Sequence, residues 1–536
     1  MTTARRPARI ALAALGFIHA SGCHGAPAQP VAAGTRVAES PARPCETAHL
    51  ADLRLDGARV LSASAIAAGT FAPAGSSAAD LPPFCRVQAV ATPTSGSRIL
   101  FEVWVPTEAW NGKLVATGNG GYSPALSYGD MAKALRQGYA TLGGDTGHQT
   151  ADPNDLTFVV GHPQRMVDWG TRSIHAITVP GKQIVTALRG RPAHRTYFYG
   201  CSTGGHQAYA AIQRYPADFD GVVAGAPGND RVRLNVGFLW QFVANHERSG
   251  DAPILPASKL PLITRAVVAA CDARDGVEDG VVDDPRDCPF DPGRLACRGV
   301  DAPDCLTAPQ LAALRRMYAG ARNPRSGEQL YPGWPAGSEM GWPQYWGRSE
   351  PARLDFWRYW VFEDPRWDPW SFDFDRDVRR ADATAGRAVD QTNPDIDSFR
   401  ARGGKAIVYQ GWQDPVVSAL GTIAYYERVR ARQGSPAAVD SFFRLFLVPG
   451  MGHCAGGEGT TSFGNAGTMP PVVDADHDLL EALDRWVERG VAPDRIIASR
   501  TVDGAVARTR PLCPYPQRAR YTGRGSTDEA ASFVCS

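Results

Sequence analysis

Residues 196–205 read TYFYGCSTGG, and this stretch decides the fold. An aromatic run typical of a β-strand leads at once into the pattern G-x-S-x-G, and a helical pattern follows over residues 205–215. Glycine at positions 200 and 204 allows a tight turn from strand to helix, which exposes the hydroxyl of Ser202 at the carboxyl end of a sheet. The pattern alone is common by chance, so a tight turn without chemistry is the alternative.

Strand-like and helical segments alternate on both sides of this turn, which predicts a mostly parallel sheet covered on both faces. The predicted strands are 98–106, 113–116, 139–144, 196–200, 219–224, 405–410 and 441–448, and the predicted helices are 173–188, 205–215, 423–433 and 477–489. The alternation is lost over residues 229–398, which are rich in Asp, Pro, Arg and Trp. We therefore predict an α/β core in two parts, residues 45–228 and 399–536, with residues 229–398 inserted between them as a lid domain.

The composition excludes several classes of protein. The chain has 536 residues, of which 43% are hydrophobic and 21% charged, as in ordinary globular proteins. The formal net charge of +1 implies no strongly basic surface, so nucleic acid is not an expected partner. After residue 25 the chain has no long apolar run, so no membrane span is expected there.

The N-terminus has the pattern of an export signal. Arginines at positions 5, 6 and 9 precede a short apolar run, which predicts a signal peptide over residues 1–28. Two cleavage sites are open: an A-x-A site at 26–28, or a lipoprotein-type site that would leave a lipid anchor on Cys23. Residues 29–44 are rich in Ala, Pro and Gly and are predicted to be a linker. The mature chain is accordingly expected to be secreted or periplasmic in a bacterium.

Ten cysteines follow the signal region, an even number that suits disulfides in an exported protein. Proximity in the sequence favours four pairs: Cys45–Cys85, Cys271–Cys288, Cys297–Cys305 and Cys513–Cys535. Cys201 and Cys454 are left over and lie far apart in the sequence. On this reasoning alone they are either paired or buried as free thiols.

A serine hydroxyl needs a nearby base and a carboxylate that orients the base before it can act as a nucleophile. In α/β-hydrolases these residues follow in the order Ser, Asp, His. Asp414 comes directly after the predicted strand 405–410, and His453 comes directly after the strand that ends at Val448. Ser202, Asp414 and His453 are therefore the candidate catalytic triad. His148, His162 and His206 precede or adjoin the motif and are expected to be structural.

The chain resembles the tannase and feruloyl esterase family, which also includes mono(2-hydroxyethyl) terephthalate hydrolase. The resemblance covers residues 85–535. It is carried by WNGK at 110–113, GNGG at 118–121, DTGH at 145–148, GCSTGG at 200–205, FDG at 219–221, AGAP at 224–227 and GMGHC at 450–454. It implies an α/β-hydrolase core with a lid, and a disulfide between Cys201 and Cys454 that tethers the serine's turn to the histidine's loop. His206 departs from the pattern, because many members have arginine there, and we expect this to alter the helix surface.

An oxyanion forms when the serine attacks an ester, and it needs two preorganised N–H donors. The first is expected to be the backbone N–H of Thr203, which follows the serine. The second is expected in the glycine-rich loop after strand 113–116, at Gly121 or else at Gly120. Simple turn geometry is the alternative explanation for these glycines.

Residues 271–281 read CDARDGVEDGV and contain hard oxygen donors of the kind that calcium prefers. The candidate ligands are the side chains of Asp272, Asp275 and Asp279 and the carbonyls of Val277 and Val281. Their spacing is not that of an EF-hand, and a solvated turn is the alternative. The resemblance implies a structural Ca²⁺ at these positions.

Seven of the thirteen tryptophans lie within 37 residues of the predicted lid, at positions 334, 342, 346, 357, 360, 367 and 370. Such density could shape a flat apolar slot for an aromatic acyl group, or it could build the core of the lid itself. Arg348 or Arg353 could meet a carboxylate on the ligand.

The expected function is hydrolysis of small-molecule esters of aromatic acids through an acyl-enzyme. Gallates and ferulates are expected ahead of terephthalate monoesters. A ligand-binding module without catalysis is the alternative of a different class.

Overall fold

A computed structural model of the chain describes residues 43–72, 81–150, 152, 154–248 and 250–536. Nine of its strands form a central sheet, and the other six strands of the described residues form three two-stranded sheets. In chain order the strands are β1 (Ala58–Ile66), β2 (Phe84–Ala91), β3 (Ile99–Pro106), β4 (Lys113–Thr117), β5 (Ala140–Gly144), β6 (Arg195–Cys201), β7 (Gly221–Gly225), β8 (Ala321–Arg322), β9 (Gln329–Tyr331), β10 (Lys405–Gly411), β11 (Phe443–Val448), β12 (Ile496–Val502), β13 (Ala505–Leu512), β14 (Ala519–Tyr521) and β15 (Phe533–Cys535).

The α-helices of the described residues cover both faces of the sheet or lie between β7 and β10. They are α1 (Thr47–Leu50), α2 (Tyr128–Arg136), α3 (Pro163–Val167), α4 (Ser173–Arg189), α5 (Thr203–Arg214), α6 (Arg231–Asn245), α7 (Leu260–Cys271), α8 (Ala308–Ala319), α9 (Arg376–Ala381), α10 (Arg387–Val389), α11 (Asp397–Ala401), α12 (Ala419–Gln433), α13 (Pro436–Asp440) and α14 (Leu479–Arg489).

The central sheet has the order β1-β2-β3-β5-β4-β6-β7-β10-β11. The six strands from β5 to β11 pair in parallel, whereas β1, β2 and β3 extend the sheet as an antiparallel edge. The parallel strands β5 and β7 are wholly buried, as expected for a sheet covered on both faces. The predicted mostly parallel α/β sheet is therefore confirmed, and its antiparallel edge is an addition that the sequence pattern did not indicate.

Two glycines allow the chain to close tightly around the turn between β6 and α5. A Cβ on Gly205 would lie 2.3 Å from the carbonyl oxygen of Gly225. A Cβ on Gly118 would lie 2.4 Å from the Cα of Gly204. Helix α5 can therefore press against the ends of β7 and β4 only because these positions lack side chains. This packing brings three loops to one edge of the sheet.

Residues 226–404 lie between β7 and β10, which are neighbours in the sheet. In the described part of this segment there is no further strand of the central sheet, only the small hairpin of β8 and β9. Most of its buried apolar side chains lie in two clusters, one around α6 and residues 354–389 and one around α7 and α8. The first cluster also includes Tyr122, Phe158 and Trp169, which precede β6, whereas the second consists of residues of the insertion. The segment is thus an insertion with one core of its own and one that it shares with the loops after β4 and β5.

Five disulfides join all ten cysteines of the described residues, and each expected pair is present. They are Cys45–Cys85, Cys201–Cys454, Cys271–Cys288, Cys297–Cys305 and Cys513–Cys535. The Cys201–Cys454 bond, which the family resemblance implied, spans 253 residues of sequence.

The predicted signal peptide, Cys23 and residues 29–42 of the predicted linker lie outside the described residues. Among the helices of the described ranges, none has both the length and the apolarity needed to cross a membrane.

Candidate active site

Ser202 lies at the turn between β6 and α5 with φ of +62°. A non-glycine residue in this region of φ and ψ is held by its surroundings at a cost of roughly 1–3 kcal/mol. Its N–H donates to the carbonyl of Gly225 (2.9 Å), and its own carbonyl accepts from the N–H of His206 (3.0 Å). With both backbone groups engaged, the side chain of Ser202 faces a cavity at the sheet edge.

Asp414 and His453 come together from the loops after β10 and β11. The Nδ1 atom of His453 lies 2.8 Å from Oδ2 of Asp414, whose side chain is fully buried. Oδ1 of Asp414 accepts from the N–H groups of Val416 (2.7 Å) and Val417 (3.0 Å). An ionised carboxylate can only accept hydrogen bonds, so Nδ1 donates and Nε2 is left as the basic nitrogen.

His453 and Ser202 line the same cavity. Between these two described residues the structure has no hydrogen bond within 3.5 Å, and catalytic contacts of this kind often tighten only when substrate binds. A disulfide joins Cys201, which precedes Ser202, to Cys454, which follows His453. Asn465 donates to the carbonyl of Cys454 (2.8 Å), which fixes the histidine's loop from the far side.

The cavity has a volume of about 300 Å³ and lies between the sheet edge and the insertion. Its lining residues are Gly118, Asn119, Gly120, Gly121, Tyr122, Ser127, Asp130, Cys201, Ser202, Arg231, Leu234, Phe238, Tyr345, Arg353, Val416, His453, Cys454 and Ala466. The rings of Phe238 and Tyr345 stack at 5.7 Å with an interplanar angle of 20°. The aromatic wall of the cavity therefore consists of Tyr122, Phe238 and Tyr345.

The tryptophans of the insertion do not form the slot that their density suggested. None of the seven is among the described residues that line the cavity. Six of them are at most 9% exposed and belong to the two apolar clusters described above, as with Trp334 and Trp342, whose rings stack at 5.0 Å. Their side chains bury a large apolar area each, which a small inserted domain needs for its own stability.

The loop after β4, residues 118–122, is held at three points, two of them on α5 and one in the loop after β5. Gln207 of α5 accepts from the N–H of Asn119 (3.0 Å). The hydroxyl of Thr203 donates to the carbonyl of Gly121 (2.6 Å). His148 lies with Nε2 2.8 Å from the carbonyl of Tyr122. Thr203 and Gly121, the two residues expected to supply oxyanion donors, are therefore in direct contact, and Gly120 lines the cavity beside them.

The chain matches known proteins in sequence and in fold. The family model described as tannase and feruloyl esterase covers residues 85–536. An uncharacterised esterase of Xanthomonas campestris is 41% identical over 524 residues, which cover 91% of this chain and 90% of the relative. The chain belongs to the tannase and feruloyl esterase family. It is a carboxylic ester hydrolase, since hydrolysis of carboxylic esters is the reaction common to that family.

Two further comparisons extend this result. The mono(2-hydroxyethyl) terephthalate hydrolase of Piscinibacter sakaiensis is 36% identical over 540 residues, covering 87% of this chain and 86% of that protein. The crystal structure of feruloyl esterase B from Aspergillus oryzae superposes with a TM-score of 0.85 at 29% identity, covering 92% of this chain and 99% of that structure. The core of this esterase accordingly has the α/β-hydrolase fold.

The other histidines have structural environments. His148 is buried against the ring of Phe158 at 3.8 Å, and burial lowers its pKa to about 4. His206 is fully buried on α5 with Nε2 2.7 Å from the carbonyl of Gly170, and burial lowers its pKa to about 3. The expectation that His206 alters the helix surface is therefore wrong, since this residue packs into the interior. His162 precedes α3 and does not line the cavity among the described residues.

Gln410 is a positioning residue that the sequence reasoning missed. Its Nε2 donates to Oδ2 of Asp414 (3.0 Å) and to the carbonyl of Val417 (3.1 Å), and its Oε1 accepts from the hydroxyl of Thr422 (2.9 Å). It thereby fixes the carboxylate that orients His453. A signal was present, because glutamine is the one polar side chain near the end of the otherwise apolar strand 405–410.

The loop at residues 272–281 is folded by its own carboxylates. Asp272 accepts from the N–H groups of Asp279 (3.1 Å) and Gly280 (2.9 Å). Asp275, Asp279 and Val281 line a cavity of about 50 Å³ that Arg286, Arg508, Arg510 and Arg518 also line, whereas Asp272 and Val277 do not line it. The carboxylate of Asp279 is paired with Arg510 (2.5 Å) and Arg508 (3.1 Å). In the described ranges no three His, Cys, Asp or Glu side chains converge as a metal cluster.

Removing the disulfide beside the serine should lower both catalysis and stability. In the double variant Cys201→Ala with Cys454→Ala, the two loops lose their tether, and a misplacement of about 1 Å can cost about 100-fold in rate. We expect kcat to fall by about that factor. The chain-entropy model gives an upper estimate of about 5 kcal/mol for so long a loop, so the Tm should fall as well.

The double variant Cys513→Ala with Cys535→Ala is the matched control, since that disulfide lies away from the catalytic cavity. It should lower the Tm but leave kcat within about twofold. Equal losses of kcat in both double variants would show that the tether has no positional role. The measurement is steady-state hydrolysis of an activated ester beside thermal unfolding.

Proposed function

We propose that the chain hydrolyses esters of aromatic, chiefly phenolic, acids such as gallate or ferulate through an acyl-enzyme formed on Ser202. The observation that carries the proposal is that His453, paired with the buried Asp414, lines one cavity with Ser202. The aromatic wall of Tyr122, Phe238 and Tyr345 supports the choice of acyl group.

The mechanism follows from the positions of these groups. The hydroxyl oxygen of Ser202 attacks the ester carbonyl while its proton passes to Nε2 of His453. Asp414 keeps the imidazole oriented and stabilises the imidazolium. The negative charge on the former carbonyl oxygen is met by the N–H groups of Thr203 and Gly121.

The tetrahedral intermediate then collapses. The ester C–O bond breaks, and the alcohol leaves with the proton from His453, so the acyl group remains on Ser202. Water attacks this acyl-enzyme with His453 again as base, and the carboxylic acid is released. No group other than the triad, the two N–H donors and water is required.

An aromatic acyl group fits the cavity better than a short aliphatic one. Burying an aromatic ring against Phe238 and Tyr345 contributes about 25 cal/mol per Å² of apolar area. Binding energy gained away from the scissile bond can be used to orient it, so the preference should appear in kcat/KM. A butyryl group would leave part of this wall uncovered.

A panel of esters tests the proposal. We expect methyl gallate and methyl ferulate to exceed ethyl butyrate in kcat/KM under one set of conditions. Ser202→Ala should lower kcat by several orders of magnitude for every ester, as in other triads, with an unchanged Tm. A higher kcat/KM for the butyrate ester would contradict the aromatic preference, and a tenth or more of the activity left in Ser202→Ala would contradict the triad. Complete lack of turnover by the wild type would favour a binding module.

A terephthalate monoester is the second candidate substrate, and Arg353 supports it. This arginine lines the cavity and has no acidic partner among the described residues, since its side chain contacts Asn154 and the ring of Tyr122. A free carboxylate on the acyl group could pair with it. Arg348 does not line the cavity in the described residues, which leaves Arg353 as the better of the two arginines considered.

Substitution of this arginine separates the two candidates. Arg353→Met should raise KM about tenfold for mono(2-hydroxyethyl) terephthalate and leave KM for methyl ferulate nearly unchanged, because only the former has a carboxylate. Arg348→Met is the matched control and should change neither. KM is obtained from initial rates. An equal change of KM for both esters in Arg353→Met would contradict an ion pair between Arg353 and the substrate's carboxylate.

We further propose that the loop at residues 272–281 binds Ca²⁺ as a structural ion. Asp272, Asp275 and Asp279 with the carbonyls of Val277 and Val281 would supply the oxygens. The cavity beside Asp275, Asp279 and Val281 and the oxygen-only donor set support this. Binding would require Asp279 to share its carboxylate between the ion and Arg510.

Chelation tests the calcium proposal. A ligand bound only by the folded state stabilises it by about 2.7 kcal/mol at a concentration 100 times Kd. EGTA should therefore lower the Tm of the wild type, and added Ca²⁺ should restore it. Asp275→Asn should abolish this response, whereas Asp304→Asn, an exposed residue of the insertion, should retain it. An unchanged Tm with no metal by elemental analysis would show that the arginines alone hold this loop.

Export completes the proposal. Five disulfides in the described residues are suited to an oxidising compartment. Together with the predicted signal peptide over residues 1–28, they support a secreted or periplasmic enzyme. Cleavage before Cys23 would anchor it to a membrane by lipid.

A further inference from the structure

Arg231 is a buried cation beside the catalytic serine. It is the first residue of α6, is 4% exposed, and lines the same cavity as Ser202. Its Nη2 donates to the hydroxyl of Thr203 (2.7 Å). Its guanidinium lies over the rings of Trp169 (5.0 Å) and Tyr122 (5.8 Å), and its buried Nε has no hydrogen-bond partner among the residues that the structure describes.

No carboxylate in the described part of the chain forms an ion pair with this guanidinium. Asp390 accepts from the backbone N–H of Arg231 (2.8 Å) and not from its side chain. Burial, together with the nearby Asp230, raises the pKa of the Asp390 carboxyl. Burial also lowers the pKa of Arg231 itself. A buried charge without a partner carries a large desolvation cost, so its presence calls for a compensating negative charge.

The contacts of Arg231 lead directly to the oxyanion hole. Arg231 donates to the hydroxyl of Thr203, and that hydroxyl donates to the carbonyl of Gly121. Thr203 and Gly121 are the two residues proposed above to hold the oxyanion through their N–H groups. The hydroxyl of Thr203 can make only one donation, and the arginine directs it toward Gly121 because an arginine can only donate.

We propose that Arg231 is a positioning residue of the oxyanion hole. It locks the Thr203 hydroxyl onto Gly121 and so fixes both N–H donors, and its positive charge faces the place where the oxyanion forms. The negative charge that balances Arg231 is then the oxyanion of the transition state. The inference rests on the proposed function, since it assigns a role in the same acyl transfer.

Arg231→Met tests the proposal, because methionine keeps length and apolar contact but loses the charge and the donors. Loss of one oxyanion-hole donor typically costs about 100- to 1,000-fold in kcat. We expect a fall of about 100-fold in kcat for methyl ferulate with KM within about threefold. Arg233→Met is the matched control on the same helix. Its side chain pairs with Asp382 (2.7 Å) and lies outside the cavity lining, so kcat should stay within about twofold.

A second readout separates positioning from general damage. An arylboronic acid accepts the oxygen of Ser202 on boron while the serine proton passes to His453, which gives a tetrahedral anion resembling the transition state. Its affinity should fall in Arg231→Met about as much as kcat does. Affinity for the neutral amide analogue of the substrate should stay within about threefold, since no anion forms. Arg231→Lys should recover part of the loss in both quantities.

Thr203→Val removes the hydroxyl but keeps the backbone N–H and the shape of the side chain. If the hydrogen bonds from Arg231 through Thr203 to Gly121 carry the effect, this variant should lower kcat. The kcat of the double variant with Arg231→Met should then be close to that of the less active single variant. Additive losses would overturn the relay. An unchanged kcat in Arg231→Met would overturn the proposal, as would equal weakening of the boronate and the amide, or a raised KM confined to carboxylate-bearing esters. Wild-type enzyme that turns over no ester would instead refute the proposed function.

Discussion

The turn that presents Ser202 is the constraint on which the rest of this structure depends. A serine with φ of +62° between a strand and a helix can be held only if neighbouring backbones approach closely. The close approach of α5 to the ends of β4 and β7 meets this condition, because glycine stands at the points of contact. Once the turn is fixed, the loops after β4, β10 and β11 gather around one hydroxyl.

Charge is distributed around that hydroxyl in an ordered way. The carboxylate of Asp414 is buried behind His453 and accepts hydrogen bonds from two backbone N–H groups. Its negative charge is therefore already in place when the histidine accepts a proton. Arg231, which lines the same cavity as Ser202, is buried with no carboxylate partner among the described residues. In the proposed reaction, positive charge would form at His453 and negative charge near Thr203.

The sequence predicted the parts of the fold that follow periodic patterns. The strand before Ser202 and the helix after it form as expected, and so do the strands that lead to Asp414 and His453, because each functional residue directly follows a buried strand. The antiparallel edge of β1 and β2 was missed because it does not alternate with helices. The high density of tryptophan in the insertion did not predict which rings line the cavity. The tryptophans pack in apolar clusters, and the insertion contributes Phe238 and Tyr345 to the cavity wall.

Contacts between distant side chains could not be predicted in the same way. The hydrogen bond from Arg231 to Thr203 joins residues 28 apart, and that from His148 to Tyr122 joins residues 26 apart. Neither pair lies on one helix or one strand, so no periodicity relates them. The chain order already predicted a structural role for His148, but only the arrangement of loops at the sheet edge shows that it contacts the loop beside Ser202.

Helix α6 links the chemistry to the choice of substrate. Arg231, Leu234 and Phe238 are three and four residues apart, so they share one face of the helix, and that face lines the cavity. Val232, Val236 and Leu239 pack into a core of the insertion and hold the helix there. The same helix therefore carries the cation that contacts Thr203 at its first turn and one ring of the cavity's aromatic wall, Phe238, two turns later. Under the proposed function, a change of ring at Phe238 would alter which acid is accepted while the first turn keeps its contact with Thr203, so one fold would keep its reaction and change its substrate.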